Sequence, residues 1–486
     1  MRRVLRAAAA AGIGTLASIA AGLVRVKLFA VLLGAAGLGV ISQLSNLHAI
    51  FTVAACLGLG IGVSKSIAAA RGAGDISRLR QTASTAVITA AGMGLILSAV
   101  LILFASPSAG FLLGDSALAP FVRWSAIGVL FAPIGRVLGD VMNGLRDVRA
   151  VMWSGVIGSA LSILAVVLLV GCFGMTGAVL SIPAVSLLGT AVAGTLLIRR
   201  QREILAPPSS PVFDMRILTG LTRVGVASLV MGVSDQLALL MIRTDLIRRW
   251  GPAANGHFQG AFGISQQILL VAVAFHGSYS FPKVNEASST QEVNRETVGA
   301  LRVTLLLLGT AVGVLILGRH LVVKLLLSRD FIASIPLFPW QVAGDFARGV
   351  GLAIGLAILP RAGIRRWLVT GLSGAIGYVA AYAVLAPKAG PAAPSIAWCV
   401  AGFLYLGISW AQTRRATGIV LGWREAAPVL LAPPIIGALA WIGDGTVLSF
   451  VLGIPLVLGW ILIGVRPADL RTAWTALRTR MDGWAR

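Results

Sequence analysis

Acidic residues are scarce in this chain: 17 Asp and Glu among 486 residues, against 40 Lys and Arg. Charged residues make up only 12% of it, where an ordinary soluble domain carries about 25%. That leaves too little polar surface to cover a soluble globule of this length. Aromatic residues are sparse as well, at 7%. Cysteine is limited to Cys56, Cys172 and Cys399, all in apolar stretches. They read as small buried side chains, which argues against a disulfide framework or a thiolate metal site. Walker A loops, metal-ligand clusters and nucleophile elbows are missing from the sequence, so a non-enzyme without cofactor or metal is expected. No soluble stretch is long enough for an ATPase domain, and any energy source is expected to be a gradient or downstream consumption of the product.

What the chain has instead is apolar length. Some 57% of residues are hydrophobic, and 58 glycines come in addition. Runs of membrane-spanning length recur to the end of the chain, without the alternation of a transmembrane barrel. Abundant small residues let membrane helices approach closely. The expected fold is an all-α polytopic membrane protein of about fourteen helices, near 8–33, 38–65, 82–105, 119–143, 150–171, 175–198, 218–247, 257–281, 299–319, 335–360, 366–386, 394–411, 426–442 and 446–465. Arg2, Arg3 and Arg6 precede a first apolar stretch longer than a signal peptide and without an A-x-A site, so it reads as an uncleaved first helix.

The net charge of +23 does not imply nucleic acid, because basic residues are scattered between the apolar spans. About 26 of the 40 Lys and Arg fall in alternate loops and the two termini, the positive-inside pattern. Opposite loops hold only Arg248, Arg249, Arg319, Lys324, Arg329 and Lys388. Both termini are therefore expected in the cytoplasm of a multi-pass protein in the bacterial inner membrane.

An internal echo runs through the chain at an interval of about 212–218 residues. Gly34 and Gly39 recur as Gly251 and Gly256, and Arg136 and Arg149 as Arg348 and Arg361. The echo predicts two pseudo-symmetric six-helix lobes around a central cavity: 1–205, a Pro-rich cytoplasmic linker at 206–216, and 217–412. Two further helices and a basic cytoplasmic tail occupy 413–486.

A charge at mid-bilayer is costly, so each intramembrane ionisable residue has a functional reading by default. Candidates are Arg25 and Lys27 in helix 1, Arg136 and Asp140 in helix 4, Arg223, Asp235, Arg243 and Asp245 in helix 7, and Asp345 and Arg348 in helix 10. Arg136 with Asp140, and Asp345 with Arg348, have helix-face spacing and could simply neutralise each other. Asp235 or Asp245 could neutralise Arg25 and Lys27. With Arg123 and Arg302 included, cations exceed acids in these spans, which points to an anionic ligand such as phosphate, suited to the guanidinium fork. His48, His257 and His276 read as packing residues or proton carriers, and Gln43, Asn46, Gln259, Gln266 and Gln267 as cavity lining or interhelical bonds.

Two stretches carry a family resemblance. One is Lys27-Leu-Phe-Ala-Val-Leu-Leu-Gly-Ala-Ala-Gly-Leu-Gly-Val-Ile-Ser-Gln-Leu; the other is Leu57-Gly-Leu-Gly-Ile-Gly-Val-Ser-Lys-Ser-Ile-Ala followed by Arg71-Gly-Ala-Gly-Asp. They resemble the N-terminal helices of O-antigen and polysaccharide flippases of the multidrug/oligosaccharidyl-lipid/polysaccharide exporter superfamily, most clearly over the first 90 or so residues. The resemblance implies a V-shaped cavity between two lobes and alternating access. It implies a polyprenyl-pyrophosphate-linked glycan as cargo, the lipid bilayer as its medium, and a polysaccharide polymerase and glycosyltransferases as neighbours. A cationic lumen in such flippases agrees with Arg25, Lys27 and Arg243. Many of them have twelve helices, whereas fourteen is the pattern of lipid II flippases and some other polysaccharide exporters. A lipid II-type peptidoglycan precursor and a small-molecule antiporter therefore stand as alternatives.

Overall fold

A computed structural model describes residues 2–201, 213–443 and 446–464. The expected linker at 206–216 lies largely outside the described residues, as does the basic tail from Arg466. Throughout the described residues the regular structure is helical. The first α-helices are α1 Arg2–Ala55, α2 Leu59–Gly72, α3 Ile76–Leu103, α4 Ala105–Leu113, α5 Ala119–Gly144 and α6 Val148–Arg200. Next come α7 Met215–Phe275, α8 Phe281–Glu286, α9 Thr290–Leu317, α10 Arg319–Leu326 and α11 Phe338–Gly355. The last are α12 Ile358–Ala389, α13 Ala393–Thr417, α14 Trp423–Ile442 and α15 Val447–Gly464.

Nine described stretches are long and apolar enough to cross a bilayer, and several of them run to 40–60 residues. About 20 residues suffice for one crossing. The long helices α1, α6 and α7 each break at a single glycine, Gly34, Gly174 and Gly251. The break in α6 is a reversal. Arg200 at its last turn ion-pairs with Asp147, just before its first residue, at 2.9 Å. A straight helix of 53 residues would hold these ends about 80 Å apart. Counting two pieces for each of α1, α6 and α7, with α3, α5, α9 and α11–α15, gives fourteen long helical segments among the described residues, the number expected.

The echo in the sequence has a counterpart in the backbone. Left-handed turn residues recur 216–217 positions apart: Gly34 (φ 65°) and Gly251 (φ 82°), Arg146 (φ 51°) and Gly363 (φ 80°), Gly174 (φ 54°) and Gly390 (φ 57°). At Gly34 and Gly251 a side chain would be strained, and glycine alone turns there without cost. Helix 2 was expected unbroken over 38–65, but it is interrupted between Ala55 and Leu59, where Leu57 and Gly58 are left-handed. The physical reason is close packing: a Cβ on Gly58 would lie 2.4 Å from the Gly225 carbonyl oxygen. Helix 8 is interrupted at the corresponding place by a π-helical turn, His276–Ser280.

By packing the chain divides into two compact units. The first comprises Met1–Gly263, Leu325–Ala333 and Ala389–Pro391. Within it, helix 2 lies along helix 7 and helix 1 beside helix 8. A Cβ on Gly39 would meet the Pro252 oxygen at 1.9 Å, and one on Gly256 the Ala35 oxygen at 1.8 Å. These two contacts exchange under the repeat interval. The second unit comprises Ile264–Lys324, Ser334–Lys388 and the described residues from Ala392 on. There α14 is tied near its start to α9 and near its end to α10. Arg302 donates to Glu425 at 2.6 and 2.9 Å, and Arg319 donates to the Ala440 carbonyl at 2.7 Å. Large apolar side chains such as Leu95, Leu103, Val314, Ile376, Val384 and Leu430 point outward. In water such a surface would aggregate; in lipid it is the solvated face.

Candidate functional site

The predicted site residues of the first unit fall into distinct settings. Arg25 is half-buried in helix 1, and among the described residues no carboxylate pairs with it. Lys27, two residues on and off that face, is exposed. Val26 packs toward Gly263, 3.6 Å from where a Cβ would stand, so this stretch of helix 1 runs beside the segment of helix 8 that bears Gln259. Gln259 in turn accepts a hydrogen bond from the Arg243 guanidinium. Arg243 is only 3% exposed, and its guanidinium carbon lies 5.3 and 5.6 Å from the ring centroids of Phe262 and Phe258. Two faces of aromatic π density and an amide oxygen thus stabilise this charge where water does not reach.

The acids of helix 7 are disposed differently. Asp245 pairs with Arg249, one turn on, at 2.8 Å. Asp235 is exposed, as is Arg223. In helix 4, Arg136 is exposed and Asp140 half-buried, its Oδ2 3.0 Å from a Cβ position on Gly60. Among the described residues no ion pair joins Arg136 to Asp140.

Gln43 and Asn46 bond neighbouring helices. Gln43 Nε2 donates to Thr244 Oγ1 at 2.8 Å, and Asn46 Nδ2 to Gln236 Oε1 at 2.6 Å. Asn255 joins the same seam by donating to the Gly39 oxygen at 2.7 Å. Sequence reasoning missed Gln236 and Asn255, although an amide inside an apolar span always needs a partner. The histidines pack. His48 Nε2 lies 3.3 Å from Ser186 Oγ, and His257 meets Phe331 edge-on at 5.6 Å. In the second unit His276 sits between Ser280 and Thr304 at 3.3 and 3.1 Å.

Also in the second unit, Asp345 is buried on α11. Its Oδ1 accepts from Trp398 Nε1 at 2.8 Å and from Gln266 Nε2 at 3.0 Å. Arg348 lies over the Trp398 ring with its guanidinium carbon 4.2 Å from the centroid. Trp398 went unnoticed in the sequence. Its signal would have been the indole N–H, which a buried tryptophan has to satisfy. What these groups offer chemically is charge and hydrogen bonding; among the described residues no cluster of His, Cys, Asp or Glu could hold a metal.

Comparison with known proteins adds a partial family match and a fold. Residues 13–190 match the MatE family model. The chain is 27% identical over 369 residues to the lipid III flippase of Escherichia coli (strain K12), a match covering 74% of this chain and 86% of that protein. A solved multidrug resistance MATE family transporter of the MOP superfamily, in an inward-facing conformation, superposes with a TM-score of 0.69 at 18% identity, covering 83% of this chain and 94% of that one. An outward-facing conformation of such a transporter gives 0.62 at 17% identity, covering 85% and 95%. These likenesses establish the MATE-transporter fold.

Proposed function

We propose that this chain, a membrane transporter of the MATE type by its N-terminal family match and its fold, is a flippase for a polyprenyl-pyrophosphate-linked oligosaccharide. The cargo is an O-antigen or other polysaccharide repeat unit, moved from the cytoplasmic to the periplasmic leaflet of the inner membrane by alternating access. The observation that carries this reading is Arg25. It is a half-buried cation inside a membrane span, with no carboxylate partner among the described residues. Such a charge is retained where it meets an anion. The likeness to a lipid III flippase supports a lipid-borne cargo.

In this reading a pyrophosphate and its sugars cannot cross hydrocarbon unaided, because their charges and hydroxyls would lose water. Arg25 and Lys27 receive the pyrophosphate. Arg243, Arg136 and Arg348 extend the cationic lining, while Asp140, Asp235, Asp245 and Asp345 balance it or couple transport to a gradient. Gln259 orients Arg243, and Gln43 and Asn46 keep the helices in register. The polyprenyl tail stays in lipid. In this reading the pseudo-symmetric lobes correspond to 1–205 and 217–412, with the helix pair α14 and α15 appended. A polymerase and glycosyltransferases would act on either side of the transfer.

The test is translocation of a labelled polyprenyl-pyrophosphate oligosaccharide in proteoliposomes, beside a lipid II-type precursor and a cationic drug. Protein-dependent flipping of the oligosaccharide that falls at least about tenfold in Arg25→Ala is expected, the loss of one charge-assisted hydrogen bond. Transport of the lipid II-type precursor alone would change the cargo. Transport of the drug alone would replace the flippase reading with an antiporter.

A further inference from the structure

Asp345 and Arg348 stand three residues apart on α11, where helix spacing would let them form a self-neutralising pair. Besides attracting each other electrostatically, the two are linked through a third residue. Asp345 is 2% exposed, and its Oδ1 takes the indole N–H of Trp398 at 2.8 Å together with the Gln266 amide at 3.0 Å. Ser265 supplies a further hydrogen bond to the carboxylate. Over the plane of the same indole lies the Arg348 guanidinium, 4.2 Å from the ring centroid, with the Tyr405 ring at 5.9 Å.

The indole itself has little freedom. Tyr378 abuts it edge-on, with centroids 5.1 Å apart and planes at 78°. Gly344 leaves no space on the α11 side, since a Cβ there would lie 2.4 Å from Trp398 Cδ1. Gly374 does the same for the guanidinium, with a Cβ position 3.0 Å from its Nη2. A guanidinium stacked on a ring uses its face for the contact, and its N–H donors point outward in the plane. Fixing the ring therefore fixes the plane in which Arg348 can donate two parallel hydrogen bonds. An exposed arginine would lose that orientation to side-chain rotation.

We propose that Trp398 is a positioning residue: clamped by Asp345, it holds the Arg348 guanidinium in the plane that a pyrophosphate meets bidentately. This rests on the flippase reading above and adds to it the group that makes Arg348 selective for a diphosphate over a monophosphate. Trp398→Phe is the discriminating change, because it keeps a ring under Arg348 but gives up the N–H that Asp345 holds.

The experiment uses the full chain in lipid nanodiscs and measures affinity for polyprenyl pyrophosphate and polyprenyl monophosphate, with a thermal unfolding midpoint for every variant. Trp398→Phe is expected to weaken pyrophosphate binding about fivefold to tenfold and monophosphate binding much less. Asp345→Asn should shift affinity in the same direction. In an Arg348→Ala background Trp398→Phe should cost no further affinity, because it acts through Arg348. A structural role alone would lower the unfolding midpoint and leave the pyrophosphate preference intact, or give losses that add in the double variant; either overturns the proposal. Should the wild-type protein bind neither lipid, the flippase reading fails and takes this assignment with it. Should it bind pyrophosphate but Trp398→Phe bind it equally well, only the role of Trp398 falls.

Discussion

At the scale of single residues, the same side chain has different fates in one membrane protein. Arg243 and Arg25 both lie in spans, yet Arg243 is enclosed by Phe258, Phe262 and Gln259, while Arg25 is half-buried without a carboxylate. Outside the spans, a charge is held by simpler means. Asp147 caps α6 by accepting the Ala150 N–H at 3.0 Å, and it pairs with Arg200. Partial burial works to raise its pKa, but the Ala150 hydrogen bond and the Arg200 guanidinium outweigh that and hold the carboxyl below the ordinary aspartate value. A carboxyl depressed in the folded state contributes stability above its unfolded pKa and loses it as pH falls through the folded one. The hairpin of helices 5 and 6 should therefore loosen below about pH 4, where an unperturbed aspartate is about half protonated. Asp147→Asn should remove this acid-dependent step while keeping the cap. Thermal unfolding of both proteins between pH 3 and pH 7 checks this: the wild-type curve should bend downward at the acid end relative to the variant, and parallel curves would refute it.

At the scale of elements, helix pairs are set by a few glycines. Hydropathy made the spans legible, because a 20-residue apolar run has few other uses. It did not reveal the partner of Asp245, which was expected to neutralise Arg25 or Lys27 and instead pairs with Arg249, a residue assigned to a loop that the helix in fact includes, four positions on. It could not show that Gln43 would bond Thr244, 201 residues away, because periodicity says which face is polar and never what that face meets. Nor could it tell that Gly39 and Gly256, seen as an echo, would press against each other's helix at the backbone. That contact is testable. Gly39→Val and Gly256→Val should each destabilise the protein by about 3 kcal/mol or more, since no side chain can move aside from a backbone oxygen. Gly158→Ala, in α6 with nothing within 4 Å of its Cβ position, should be neutral or stabilising by roughly 0.5–1 kcal/mol. Denaturation midpoints in detergent decide it: tolerance of Gly39→Val would mean that the helices separate more easily than the packing implies.

At the scale of the whole molecule, orientation in the bilayer follows from charge. Lys65, Arg71, Arg78 and Arg80 cluster around the turn after helix 2, and Arg199 and Arg200 end helix 6, whereas the turn at Gly174 between helices 5 and 6 carries no Lys or Arg nearby. Loops rich in Lys and Arg resist translocation, so the Gly174 turn should face the periplasm and the Arg78 loop the cytoplasm. A native cysteine reports on the first. Of the three cysteines expected to be buried only Cys56 is: Cys399 is half-buried, and Cys172 is exposed two residues before that turn, where the outer side of the helix faces lipid or solvent. In a chain with Cys56 and Cys399 changed to Ala, a membrane-impermeant maleimide added to intact spheroplasts should label Cys172. With Cys172 also changed to Ala, Ser77→Cys, exposed in the first turn of α3 beside the basic residues, should react only after the membrane is opened. The opposite pattern would invert the protein, bring the basic loops outside, and reverse the leaflet from which Arg25 receives its anion.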